Sequence, residues 1–347
     1  MSNSEASKAK PLAAPSNRMA NLSMWLLEGR AFAALIVIIV CFSLLSPNYL
    51  TVGNLLIMSS HVAIYGILAI GMLLVILTGG IDLSVGSVLG LAGIIAGFLM
   101  QGVVLAPFGV ILYPPVWVVV VLTLACGALI GSVSGVLVAY FRVPAFVSTL
   151  GILYVARGIA LLVTNGLTYN NLGGSPALGN TGFDWLGFNR LFNVPVSVVI
   201  LAVLAGGFGL MLARSAFGRW IYATGGNERA AELSGVPVPR VLVSVYALSG
   251  VLSSIAGLVL SSQLTSAGPT AGTTYELTAI AAVVIGGAAL TGGRGNVRGT
   301  LLGAFVIGFL SDGLVIIGVS AYWQTVFTGA VIILAVLMNS LQYGRRF

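Results

Sequence analysis

The feature that most restricts this chain is how far apart its charges stand. Only 15 Lys and Arg and 8 Asp and Glu are spread over 347 residues, and long apolar runs lie between them. Charged residues usually make up about a quarter of a soluble domain; here they are 7%, too few to cover a water-facing surface. With 58% hydrophobic residues and about 20 apolar residues needed per crossing of a bilayer, roughly ten spans is the ceiling. A soluble enzyme, a nucleic-acid-binding domain and a secreted disulfide scaffold are excluded on this ground. Cys41 and Cys126 lie in apolar runs with no His or acidic residue at ligand spacing, so no metal site is expected and both read as packing residues.

Hydropathy predicts an all-α, polytopic transmembrane helix bundle with about ten spans, over residues 31–45, 54–77, 87–104, 115–139, 143–164, 194–213, 241–262, 277–290, 299–319 and 322–341. Residues 1–30 read as a disordered cytosolic tail, 31–341 as the transmembrane domain with a cytosolic segment at 214–240, and 342–347 as a cytosolic C-terminal tail. Charge orients the bundle. With both termini in the cytosol, 13 of the 15 Lys and Arg lie on the cytosolic side, Arg190 lies outside and Arg157 within a span. The inverted arrangement would place the same 13 outside, against the positive-inside bias. The net charge of +7 therefore records topology and not affinity for nucleic acid.

Lipid also explains the 46 glycines, because helices in a bilayer associate through close backbone approach at small residues. Gly127, Gly131 and Gly135 share one helix face, as do Gly86 and Gly90, Ser249, Ser253 and Gly257, and Gly299 and Gly303. Each stripe serves packing within the chain, or one of them a dimer face. An internal similarity accompanies them. Leu77-Thr78-Gly79-Gly80 ends the second span and Leu290-Thr291-Gly292-Gly293 the eighth, and the same register sets Gly86 opposite Gly299. Both hairpins run the same way in a ten-span arrangement, which predicts a parallel internal repeat; chance likeness between Gly-rich apolar strings is the competing explanation.

The segment 214–240 is long for a connector. Asn227 can cap a helix, Glu228 favours its positive end, Ala230 and Ala231 propagate it, Gly235 can end it and Pro237 prevents its continuation. Two turns are unstable alone in water, so this helix must dock, either on its own spans or on another protein. Ala230-Ala231, three residues, then Gly235 resembles the cytosolic coupling loop of ABC importer permeases, although the later Ile-x-Leu-Pro part of the commonest version is missing. The stretches from Ile76 through Gly79-Gly80-Ile81-Asp82-Leu83-Ser84 to Ser87, from Gly218 through Gly225-Gly226 to Asn227, and from Ala279 to Gly287 resemble the signatures of the ribose-type sugar ABC transporter permease family. The likeness continues through Gly292-Gly293-Arg294-Gly295 and residues 299–304, and covers about residues 53–341.

The resemblance implies a bacterial inner-membrane subunit that moves a monosaccharide or related polyol. It also implies three partners: a second permease copy, identical or a close paralogue; a cytosolic ABC ATPase holding ATP and Mg; and a periplasmic solute-binding protein. Permeases for branched-chain amino acids or nucleosides would share this fold, and an ATP-independent secondary transporter is the remaining alternative. No Gly-x-x-x-x-Gly-Lys-Ser/Thr loop occurs and the only lysines are Lys8 and Lys10, so ATP must be hydrolysed elsewhere; no catalytic residue and no bound cofactor are expected in this chain. Gly225, Gly226, Asn227, Glu228, Ala230, Ala231 and Gly235 are the expected ATPase-coupling residues.

Ionisable residues at membrane depth are costly and face protein or water. Arg157 and Asp312 lie at similar depth, about 20 Å from the cytosolic ends of their spans at about 1.5 Å per residue, and are candidates for an ion pair. His61 reads as a hydrogen-bonded core imidazole. Asp82 lies in a Gly-rich break, where freed amides and the hydroxyls of Thr78 and Ser84 can bond it; it either locks a turn or, with Ser84, lines an inner gate. A neutral sugar needs hydroxyl, amide and aromatic partners, for which Asn54, Tyr65, Gln263, Thr265 and Ser266 are candidates near the outer ends of spans. The long outer segment 165–195 is either a landing surface for a binding protein or a cap over helix ends.

Overall fold

The computed structural model describes residues 17–105, 107 and 109–343. Thirteen α-helices occur among the described residues: α1 (Asn17–Leu45), α2 (Val52–Leu77), α3 (Val85–Met100), α4 (Val116–Ala139), α5 (Ala145–Thr164), α6 (Trp185–Phe188), α7 (Val196–Arg214), α8 (Ala216–Gly226), α9 (Glu228–Leu233), α10 (Val238–Leu264), α11 (Tyr275–Ile285), α12 (Val297–Ile316) and α13 (Ala321–Tyr343). Six of them, α2, α4, α5, α7, α10 and α12, are long and apolar enough to cross a membrane. The stretches Ala31–Leu45, Val85–Met100, Tyr275–Ile285 and Ala321–Leu334 are shorter apolar helices. The protein is thus an all-α polytopic membrane protein. Among the described residues, three two-stranded antiparallel ribbons decorate it, pairing β1 (Val103–Leu105) with β2 (Val110–Leu112), β3 (Tyr169–Asn170) with β6 (Ser266–Ala267), and β4 (Arg190–Leu191) with β5 (Val194–Pro195).

Helix α2 is the axis of the bundle. Beyond His61 it is apolar on nearly every side, as a helix enclosed by others must be, and from Val62 to Leu77 every residue except Tyr65 is buried. Helices α7, α10, α11 and α12 pack around it. Helix α10 in turn lies along α4, where the glycine stripe decides the approach. A Cβ at Gly127 would collide with Ser254 and the Gly250 carbonyl, one at Gly131 with the Tyr246 carbonyl, and one at Gly135 would stand 2.7 Å from Val243 Cα. The other stripes also face the chain's own backbone: Gly257 meets the Leu89 carbonyl, Gly90 the Ala271 carbonyl, and Gly299 and Gly303 the carbonyls of Gly286 and Ala282.

Segments expected on opposite sides of the membrane gather at opposite ends. At the basic end the Gly293 amide donates to the Leu77 carbonyl (2.9 Å) and the Tyr222 hydroxyl to the Gly295 carbonyl (2.8 Å). At the other, loop-rich end, Asn180 donates to the Met100 carbonyl (2.9 Å) and Ser262 to the Phe183 carbonyl (2.7 Å). The segment 165–195 therefore covers helix ends, with Asn180 and Phe183 buried and Phe192 fully exposed.

Three expectations need correction. Helix α1 begins at Asn17, so the second half of the expected tail is helical; no Pro interrupts the chain between Pro15 and Pro47. Residues 1–16 and 344–347 of the expected tails lie outside the described residues. Helix α3 stops at Met100, and the residues that follow form the β1–β2 ribbon instead of continuing the third span. Helix α11 ends at Ile285 and not near Leu290, because Gly287 adopts a left-handed conformation (φ 89°) and the Ala288 amide turns back to the Val283 carbonyl (3.0 to 3.1 Å bonds close this turn).

Gly131→Leu is expected to cost ~1–3 kcal/mol through overpacking, read as a lower thermal midpoint in detergent. Gly151→Leu, on a face of α5 with nothing within 4 Å, is expected to stay within ~0.5 kcal/mol of the parent.

Candidate functional site

The basic end is assembled from an elbow, two short helices and two glycine turns. Ser215 ends α7 and caps α8, its hydroxyl accepting the Gly218 amide (2.9 Å). Gly218 is required there, since a Cβ would lie 2.5 Å from both the Met211 and Leu212 carbonyl oxygens. Sequence reasoning missed α8; the signal available was Ser215 as a cap at the end of the apolar run. The following helix agrees with expectation. The Asn227 side chain accepts the Ala230 amide (2.9 Å), and the chain leaves α9 through Gly235 (φ 83°), whose amide bonds the Glu232 carbonyl while that of Val236 bonds the Ala231 carbonyl (3.0 Å each). Ala231 is buried against Val238 and Leu242 of α10 and the end of α4. Glu228, Arg229, Ala230, Glu232, Ser234 and Gly235 are exposed, as is Leu233 at 76%. The helix is docked on its own chain by one face and presents the other.

Gly225 and Gly226, at the end of α8, fit between the two similar turns. A Cβ on Gly225 would collide with the Leu77 carbonyl, and one on Gly292 would lie 2.8 Å from the Gly225 carbonyl oxygen and 2.9 Å from the Gly79 nitrogen. The Leu-Thr-Gly-Gly strings that the sequence aligned thus touch each other. Their roles differ. Gly79 (φ 84°) terminates α2 directly, whereas Gly292 (φ 89°) lies in a loop beyond the end of α11.

The turn from Thr78 to Ser84 leads from this junction to Asp82, which is buried. One carboxylate oxygen accepts the Ser84 amide (3.0 Å) and hydroxyl (2.6 Å); the other accepts the Ser249 hydroxyl of α10 (2.8 Å). Burial pushes the Asp82 carboxyl above the usual carboxylate range, and the hydrogen bonds from Ser84 and Ser249 oppose that shift. Thr78, expected as a partner, instead donates to the Val75 carbonyl of its own helix (2.8 Å). Ser249 was visible only as a small residue in a packing stripe; its role depends on α10 crossing this turn. Thr149 of α5 holds the same turn through the Ile81 carbonyl (3.0 Å). A cleft of about 570 Å³ joins the parts: Thr78, Gly80, Arg142, Glu228, Glu232 and Tyr246 line it.

Arg157 and Asp312 do not pair. Arg157 donates to the carbonyls of Pro269 (2.6 Å) and Ala271 (2.8 Å), because α5 packs on α3 and not on α12. Asp312 instead meets His61 (3.0 Å), and its second oxygen is buried without a partner. Equal depth along two helices does not place their faces together. Of the other candidates, Tyr65 packs edge-on against Tyr275 (ring centroids 5.2 Å apart), and Asn54 bonds the Tyr49 carbonyl (2.7 Å) near the start of α2. Thr265 ends α10 in a left-handed conformation (φ 47°), with Ser266 in β6 beside it. Gln263 shares a pocket of about 200 Å³ at the loop-rich end with Ser60, His61 and Arg190.

A buried apolar axis, helices locked by glycine and a short helix docked at one end make up a polytopic membrane protein, and its similarity to known proteins places it among transport permeases. The chain belongs to the family described as branched-chain amino acid transport system / permease component, which matches residues 54–336. It is 44% identical to the ribose import permease protein of Escherichia coli (strain K12) over 323 residues, 91% of this chain and 94% of that one. It is 41% identical to the ribose import permease protein of Bacillus subtilis (strain 168), covering 89% and 91%. It is 36% identical to the galactose/methyl galactoside import permease protein of Salmonella typhimurium (strain LT2), covering 93% and 96%. No solved structure matches the chain.

Ser249→Ala is expected to destabilise the protein by ~1–3 kcal/mol, the usual cost of leaving a buried acceptor without its donor, with Thr78→Ala costing less. Thermal midpoints in detergent measure both.

Proposed function

We propose that this chain is the inner-membrane permease of an ABC importer that carries a monosaccharide released by a periplasmic binding protein. The observation that carries the reading is its 36–44% identity, over about nine-tenths of its length, to permeases named for ribose and galactose import. Both termini and the basic end face the cytosol, as the distribution of Lys and Arg favours. The bundle comprises about ten spans, the shorter apolar helices completing it beside the six long ones; α11, which rises only about 16 Å at about 1.5 Å per residue, crosses together with the irregular turn that follows it. A second permease copy completes the pore, and a cytosolic ATPase holding ATP and Mg drives it.

In this reading α9 is the coupling helix. It is too short to be stable alone, it is seated through Ala231, and its outward residues, including Leu233, are free to meet the ATPase. Movement of α9 reaches α10 directly through Val238 and Leu242. It reaches the α2 terminus through the cleft shared by Glu228 and Glu232 with Thr78 and Gly80. Gly225 and Gly226 transmit the same movement to both glycine turns, which are the matching elements of a parallel repeat. Asp82 serves as the lock of the first turn, with Ser84 and Ser249 as its donors. Tyr65, His61 and Gln263 line the sugar's route from the loop-rich end.

The test is reconstitution of the permease with its ATPase and binding protein in proteoliposomes, with ribose, galactose, xylose and leucine as labelled solutes. Uptake of a sugar dependent on ATP and on the binding protein is the expected result; uptake of leucine alone would favour the branched-chain amino acid reading that the family description admits. Leu233→Asp is expected to lower binding-protein-stimulated ATP hydrolysis at least tenfold while the permease still inserts and purifies as a folded bundle. Parent-like stimulation in that variant would remove α9 from the coupling role.

A further inference from the structure

A groove of about 1010 Å³ opens at the basic end between the last turns of α7, helix α8 and the start of α12. Its depth is apolar and its mouth is cationic. Ala205, Gly206, Gly209 and Leu210 form one wall and Leu301 the other, and Arg214, Arg219 and Arg298 stand at the opening. All three arginines are exposed, and among the described residues no carboxylate lies within 4.0 Å of any of them. Local structure accounts for two of the three. Arg214 ends α7, where the helix dipole favours a cation, and Arg219 reaches back to the Arg214 carbonyl (3.4 Å). Arg298 lies in the first turn of α12, where the dipole disfavours one.

We propose that this groove is a binding site for one anionic phospholipid of the inner leaflet. Its acyl chains lie against Gly206, Gly209 and Leu301, and its phosphate meets Arg214, Arg219 and Arg298. Dimensions support the assignment: from Ala205 to Arg214 the helix rises about 14 Å at about 1.5 Å per residue, close to the roughly 15 Å of one leaflet of a hydrocarbon core about 30 Å thick. The glycines leave the wall flat, since nothing lies within 4 Å of a Cβ built on Gly206 and only Val297 at 4.0 Å of one on Gly209. Charge selects the occupant, because basic pockets between spans are the usual seats of acidic headgroups. Two other occupants fit less well. A second copy meeting this face through the same patch would bring its own arginines against these. A cytosolic ATPase can reach the mouth but not the apolar wall along a transmembrane helix. A lipid here braces the elbow of α7 and α8 against α12, and so steadies the base from which the coupling segment projects.

The test uses the assembled importer in nanodiscs of phosphatidylcholine alone or mixed with phosphatidylglycerol, followed by detergent washing and native mass spectrometry. One retained phosphatidylglycerol per permease chain, with phosphatidylcholine washed away, is the expected result. Arg214→Gln combined with Arg298→Gln should weaken retention about 30-fold, from the usual contribution of a basic residue near an anionic surface. Arg214→Lys with Arg298→Lys should keep most of it, which separates lost charge from a misfolded groove. Gly206→Phe should displace the lipid without altering charge. Equal retention of both lipids, or displacement of phosphatidylglycerol by inorganic phosphate, would overturn the proposal. So would efficient crosslinking of Leu210→Cys to a second permease chain or to the ATPase.

Discussion

Backbone meeting backbone through missing side chains is the interaction on which this structure depends. In a bilayer, burying apolar side chains gains little over leaving them in lipid, so association must come from close packing and polar contacts. Along α4 and α10 three successive glycines let one helix rest on the carbonyls of the other. Along α11 and α12 the contacts of Gly299 with Gly286, and of Gly303 with Ala282, do the same. The helices so fixed, α10, α11 and α12, pack in turn around α2.

The same device joins three elements at the basic end. Gly225 fits between the Leu77 carbonyl and the Gly293 amide, where a methyl group would have no room. The end of α8, the end of α2 and the loop before α12 therefore form one unit of backbone, with few side chains to absorb displacement. Close-packed backbone of this kind moves as a body and does not yield piecemeal. Asp82 is satisfied by three donors, two from Ser84 in its own turn and one from Ser249 of α10, which ties the turn to α10.

The loop-rich end is built differently. Hydrogen bonds from side chains to main-chain carbonyls close it, as with Asn180 on Met100 and Ser262 on Phe183, and a short strand pair joins residues 169–170 to 266–267. Polar residues not consumed by that framework, Gln263 and His61 among them, line its small pocket.

Much was legible in the chain as a string. Scarce charge required a multi-span bundle, spacing of small residues marked four packing faces, and Asn227, Ala231 and Gly235 located a capped two-turn helix, because each signal is local or periodic. Partnerships across the bundle were not legible. That Ser249 and not Thr78 completes the Asp82 site, that Arg157 turns to the carbonyls of residues 269 and 271 while Asp312 meets His61, and that the two Leu-Thr-Gly-Gly turns touch through Gly225 all depend on which helix faces lie together. Hydropathy reports how deep a residue sits along its helix but not its rotation about the helix axis, and only packing of the assembled helices sets that angle.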